Sequence, residues 1–446
     1  MAGSTRKRVA LAITIMLAAA LTLVAAPHAV AQERETRNQS IVIGKDTDFT
    51  EANGVRSGSG TPSDPYVFSN WDIYEIRIHD TDKDFVIINN KIDYLTLNWN
   101  GNNVTVKDNQ IGDLRVNQNV RRTGGPTTGT ITHNTFRVVG QLRHFDGVFA
   151  HNTVGLADGG NNLAIPFFSN QRAVNFDGFN GAHFFDNTLY GYLEVRLHGH
   201  HHSSSYSESS HYHGTANEHD HDGHAEHGMD DMVDHTNRFH QVRVHDNTIY
   251  SAAPYALIYT DSNHAGNDRT ASSEQNSELN KPHTHHTKVH LTDNNLVGSG
   301  LYVDIFNADD DRHTQTNRGL MEIARNDITV GYGDDRFPFE QRHGITIWDA
   351  KDVNLRIVDN SIRYDDADDP LAVDDQWEAS SGISLQSLDL AEVSIIRNFV
   401  QDMFFGVSAR NMTASVTWRI IDLETDGVQE PVTYDQSVKN APEMDH

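Results

Sequence analysis

VRVHDNTI, residues 242–249, sets Val242 and Val244 two apart, turns through two polar residues, and resumes with Ile249 two positions after Asn247. The same frame recurs along the chain. The asparagines are Asn90, Asn109, Asn134, Asn152, Asn187, Asn247, Asn294, Asn326, Asn360 and Asn398, each with an apolar residue two positions on. Three positions before each lies another apolar residue, as in Ile87, Val106, Ile131 and Ile357. Most copies carry a third five positions before, as in Phe85, Val104 and Leu355.

Apolar residues at i and i+2 put both side chains on one face of a short strand. Two residues turn the corner, and a second strand resumes after the asparagine. A polar side chain at the same inward corner in every copy needs hydrogen-bond partners, and stacked coils supply them through an amide ladder. A further strand precedes each copy and often opens on glycine, as in Gly300-Leu-Tyr-Val303, Gly344-Ile-Thr-Ile347 and Gly382-Ile-Ser-Leu385. The expected fold is therefore all-β: a single-stranded right-handed parallel β-helix of about ten coils, with long loop insertions at one corner. At ~4.8 Å per stacked strand the rod is roughly 50 Å long. A β-sandwich is the competing all-β reading, but it explains neither the fixed asparagine nor the shared apolar frame. Residues 40–420 are assigned to the helix and 421–446 to a C-terminal tail or cap.

Ser57-Gly-Ser-Gly-Thr-Pro-Ser-Asp-Pro-Tyr-Val67, Asn70-Trp-Asp-Ile73 and Asp84-Phe-Val-Ile-Ile-Asn-Asn90 together resemble the first coil of exported right-handed β-helix repeat proteins. That group includes the periplasmic copper-maturation protein of nitrous-oxide reductase and shares its fold with pectin and pectate lyases. The resemblance spans roughly residues 57–410 and implies the fold. It implies no single activity, because this superfold hosts lyases, hydrolases, epimerases, tailspikes and binding proteins. No lyase or hydrolase signature transfers residue by residue.

The chain opens on Arg6, Lys7 and Arg8, followed by an apolar run from Val9 to Ala26 and the small-x-small triplet Ala29-Val30-Ala31. This pattern is that of a secretion signal cleaved after Ala31, with an uncleaved N-terminal anchor as the alternative. An extracytoplasmic protein, periplasmic or secreted, is expected, with no membrane span after cleavage. There is no cysteine. Disulfides, thiolate metal sites and a cysteine nucleophile are excluded, and a chain this long buries a core without them. The formal net charge of −27 repels nucleic acid and anionic lipid and attracts cations.

The insertions are placed unevenly. Those at about 198–240, 260–288 and 305–318 follow the glycine-led strands of successive coils, so stacking brings them to one corner. Those at 331–343 and 363–381 leave from another. The first group concentrates histidine: thirteen of the chain's 27 lie between His198 and His245. Candidate metal ligands are His200, His201, His202, His211, His213, His219, His221, His224, His227 and His235, joined by His283, His285 and His286 from the next insertion. Imidazole is the commonest metal ligand, His-x-His pairs chelate, and interleaved Asp220, Asp222 and Glu226 add oxygen donors. Without thiolates, this set suits Zn²⁺, Cu²⁺ or Ni²⁺. Serine-rich and glycine-rich neighbours mark low complexity, so exchangeable sites are expected rather than one rigid cage.

Three roles follow. The first is capture or buffering of a divalent transition metal by the His/Asp loops. The second is a polysaccharide lyase, hydrolase or epimerase working in the groove of the glycine-led strands. Strand alternation there turns Leu193, Val195 and Leu197 inward and Glu194 and Arg196 outward. It likewise turns Tyr302, Asp304 and Phe306 outward, with Thr346 and Trp348 two coils further on. Glu194, Arg196 and Asp304 are the catalytic candidates, since carboxylates, an arginine and aromatic faces along a groove suit a saccharide. Ordinary solvent-facing residues are the plainer reading of the same positions. The third role is an adhesin or structural rod.

Overall fold

The computed structural model describes residues 33–99, 103–118, 129–145, 147–155, 172–178, 182–198, 239–251, 253, 255–263, 286–307, 319–331, 343–351, 353–365 and 380–445. Apart from two 3-10 turns, Asp46–Asp48 and Glu51–Asn53, the regular elements among them are strands. The strand ladders are parallel throughout and fall into a broad sheet of 22 strands and a narrow sheet of 13. The chain is a right-handed parallel β-helix.

Val242 and Val244 lie in the narrow-sheet strand Phe239–His245, and Ile249 lies in the broad-sheet strand Thr248–Tyr250. The glycine-led strands form the other part of the broad sheet. In the first four coils the two broad-sheet segments are one continuous strand: Trp71–Thr81, Lys91–Trp99, Gln110–Gln118 and Thr135–Phe145. From Thr153–Val154 onward they are separate. The core is one column of apolar side chains, running from Ile41 to Ile420.

All ten asparagines stand in one row. Each Nδ2 donates to the Oδ1 of the asparagine on the next coil at 2.9–3.2 Å, from Asn90–Asn109 through Asn360–Asn398. The same Oδ1 accepts the backbone N–H of the preceding asparagine, and Nδ2 also reaches the carbonyl left free at the corner below. Asn247 Nδ2, for example, donates to Phe184 O at 3.1 Å. The residue before each asparagine takes a left-handed conformation, φ +50° to +59°, although none is glycine. Five are aspartate, and Asp, Asn and His tolerate this region best. The two arginines among them, Arg325 and Arg397, grip Asp293 and Asp359 on the coil below with paired bonds of 2.7–2.8 Å.

Glycine opens the later broad-sheet strands because the coils approach too closely for a side chain. A Cβ on Gly344 would lie 2.2 Å from Ile362 Cγ2 and 2.7 Å from Gly382 O. At the N-terminal end, strands Glu35–Arg37 and Ile41–Ile43 both pair with Trp71–Thr81, and Arg56 lies 3.5 Å over the Trp71 ring. At the other end, strands Glu424–Asp426, Glu430–Tyr434 and Glu443–Asp445 extend both sheets. The segment expected as a tail or cap thus adds a further rung. The expected signal, residues 1–31, lies outside the described residues. Among those described, no helix is long and apolar enough to cross a membrane.

Candidate functional site

Strand register assembles the groove. On the glycine-led strands Leu193, Val195, Leu301, Val303, Ile345 and Ile347 are buried. The residues between them face outward in two rows. One row runs Glu194, Ile258, Tyr302, Thr346, Ser384, Ser408. The other runs Arg196, Thr260, Asp304, Trp348, Gln386, Arg410. Strand Gly300–Asn307 pairs directly with His343–Trp348, so Thr346 and Trp348 lie one coil from Asp304, not the two expected. The side chains of Leu197 and Phe306, assigned by alternation, lie outside the described set.

The three catalytic candidates separate into two places. Glu194 is only 8% exposed. Its Oε2 accepts from Arg172 Nη1 at 2.7 Å and its Oε1 from Arg196 Nε at 2.7 Å. With both oxygens held by guanidinium groups, this carboxylate fixes two arginines on the face. Asp304 is two coils away, about 10 Å at the usual strand spacing. Sequence alternation placed Glu194, Arg196 and Asp304 on the correct face but could not show that Glu194 is already engaged by Arg172, 22 residues earlier.

Asp304 is different. Burial, and then the negative charge of Asp349, push its carboxyl above the usual range. Its Oδ1 is sealed from solvent, as is Thr346 Oγ1, and neither has a hydrogen-bond partner among the described residues. A buried carboxylate without a donor is costly, and protonation relieves the cost. Asp349 was missed from sequence. It follows Trp348 in a left-handed turn, φ +49°, and only the Asp304–Trp348 pairing brings it near Asp304. Tyr302 is pushed upward too, by burial and then by Asp304, so its phenol stays a hydrogen-bond donor. Trp348, 43% exposed, presents a ring beside the acid. His343, at the start of the same strand, is buried, and desolvation followed by the Arg410 charge lowers it to about 4. It is a neutral packing residue at ordinary pH.

Of the proposed metal ligands, His200, His201, His202, His211, His213, His219, His221, His224, His227, His235, His283 and His285 lie outside the described residues. His286 begins the strand His286–Thr292, but its side chain is not described. Among the described residues, no group of three or more His, Asp or Glu side chains is arranged to hold a metal. The ends of the histidine-rich insertions are placed, however. The departing strands pair His198 with Ser262 and Asn263 with Asn307, and the returning strands pair Phe239 with His286.

No protein-family model matches the sequence, and no curated protein matches it. Among solved structures, the chain is similar to the A-module of the Azotobacter vinelandii mannuronan C-5 epimerase AlgE4. Identity is 12%, the match covers 92% of this chain and 90% of that one, and the TM-score is 0.36.

Proposed function

We propose that the outer face of the broad sheet binds a saccharide chain and that Asp304 moves a proton at its reactive point. The observation that carries this is the half-buried Asp304 carboxyl, raised by burial and by Asp349, beside the exposed Trp348 ring. Two neighbouring carboxyls can divide acid and base roles. Asp304, its carboxyl raised, is placed to give a proton to a glycosidic or ring-substituent oxygen, with Asp349 on the neighbouring coil as the second carboxylate. Trp348 offers a flat apolar face for a sugar ring, and the Tyr302 hydroxyl donates to a sugar oxygen. Proton transfer of this kind serves a polysaccharide hydrolase, lyase or epimerase alike.

The test is a screen on linear neutral and anionic glycans, comparing the protein with Asp304→Asn. Turnover by the protein, reduced ~10²- to 10⁴-fold in the variant, is expected for loss of a general acid. Full turnover by Asp304→Asn, or none by either on any glycan, removes the assignment. Glu194→Ala should act more mildly, since it releases Arg172 and Arg196 rather than removing a proton carrier.

A second reading has its own support. The registered ends of the two histidine-rich insertions favour loops that share one corner, where their imidazoles would bind Zn²⁺, Cu²⁺ or Ni²⁺ in an extracytoplasmic protein. Titration calorimetry with each metal at pH 7.5 and 5.5 checks it. Binding should be strong at the higher pH, weak at the lower because protonated imidazole does not ligate, and largely lost on deletion of residues 199–238. Undiminished binding by the deletion variant defeats the loop assignment.

A further inference from the structure

Six to seven coils before Asp304, the same sheet carries a second surface that the groove strands do not include. Tyr74 and Tyr94 stand on adjacent coils, 61% and 37% exposed, with ring centroids 5.2 Å apart and planes at 61°. Together with Trp348 they are three of the seven large apolar side chains left exposed among the described residues. The tyrosines line a cleft of about 250 Å³ whose remaining wall includes Glu75, Arg77, Asp113 and Arg115.

The charges in this cleft cancel in pairs. Arg77 donates to Glu75 at 2.6 Å, and Arg115 donates to Asp113 at 3.1 and 3.2 Å. Asp113 is 8% exposed, and its Oδ1 has no hydrogen-bond partner among the described residues. Gly140 on the following coil leaves the room that this oxygen occupies: a Cβ there would stand 3.0 Å from it. Tyrosine faces pack against the apolar side of a pyranose ring, while carboxylate and guanidinium pairs accept from and donate to its hydroxyls. A carboxylated or sulfated sugar would instead have to break an ion pair and approach a chain of net charge −27.

We infer that this cleft is a distal subsite for uncharged sugar residues, so that the bound chain is a neutral glycan spanning from Tyr74 and Tyr94 to Trp348. This rests on the saccharide-binding reading of the Asp304 face and specifies its substrate class. Trp348 lies seven coils beyond Tyr94 and eight beyond Tyr74, so at ~4.8 Å per coil the two ends are about 34–38 Å apart along the rod, a span on the order of seven sugar units. Long chains touch both ends; short ones touch one. The second contact raises affinity by making its own binding intramolecular.

The experiment titrates the full chain with neutral linear β-1,4-glucan and mannan oligosaccharides of two to eight units, and with uronate oligomers of equal length, at 0.15 M salt. The expected result is affinity for a neutral series that rises about tenfold or more once the chain reaches six to eight units. Tyr74→Ala/Tyr94→Ala should abolish that rise and leave only the length-independent binding that depends on Trp348. Both positions are exposed, so the variant should melt like the parent. Long-chain affinity that depends on Trp348 and not on the tyrosines overturns the distal subsite while sparing the Asp304 reading. Uronates binding as well as neutral chains overturns the substrate class. No saccharide binding by the parent chain overturns both.

Discussion

One corner of this rod repeats a single side chain ten times, and one face hardly repeats at all. At the corner, Asn90 to Asn398 make the same amide bonds on every coil. On the outer face, six successive coils present Arg196, Thr260, Asp304, Trp348, Gln386 and Arg410 at one position. The difference separates two demands. Where coils must hold each other, the corner leaves the same backbone groups unpaired each time, and one side chain satisfies them. Where the coils face outward, neighbouring positions need not agree, and chemistry can vary along the rod.

The largest break in this contrast is expected from Asn247→Ala. That substitution deletes three donated bonds, to His245 O, Phe184 O and Asn294 Oδ1, and the acceptor for Asn187. At ~1–3 kcal/mol for each buried group left unpaired, the loss is about 4 kcal/mol or more, read as a lower midpoint in urea. A change below 1 kcal/mol would mean that the ladder reports the fold without holding it. No outward position on the glycine-led strands should match it.

Acid sharpens the same contrast, because amides do not titrate and the face does. His343 binds its proton at about 4 when folded and near 6.5 when unfolded. Its pKa is lowered by folding, so below about pH 6.5 the unfolded chain takes up a proton that the folded chain refuses, and stability falls until pH reaches about 4. The contribution is about 3 kcal/mol at most. His343→Gln should flatten that part of the stability–pH curve; an unchanged curve refutes the burial effect. Asp304 works in the opposite direction. Its raised carboxyl costs stability once ionised, so Asp304→Asn should raise the melting temperature at pH 7 and leave it nearly unchanged at pH 3.5.

The smallest effect belongs to the insertions. Deleting residues 199–238 and joining His198 to Phe239 through a short glycine linker should leave the melting temperature within a few degrees. Loop length alters closure entropy only slowly, by about 0.6 kcal/mol per doubling, and both ends sit on strands already held by neighbours. A collapse of the fold would make that segment part of the scaffold.

Much of this was legible in the residues. The apolar pairs and the fixed asparagine led to parallel coils because each coil meets nearly the same neighbours, so local pattern and long-range contact coincide. The left-handed residue before each asparagine was not legible, since Asn89, His151, Asp246 and Arg397 share a backbone shape and no side-chain type. Nor was the state of the carboxylates. Glu194 and Asp304 look alike as outward acids two coils apart, and different surroundings separate them: two guanidinium groups around one, burial and Asp349 beside the other.

By itself, then, the sequence determined the all-β coil, its amide corner and where the histidine-rich insertions leave, because these follow from periods of two residues and of one turn. Tertiary structure decided that the Asp304 carboxyl is raised, that Asp349 approaches it, and that Tyr74, Tyr94 and Asp113 share a cleft. Those depend on what lies one coil above or below, at separations in the chain that vary with every inserted loop, and proton affinity responds to distance in space.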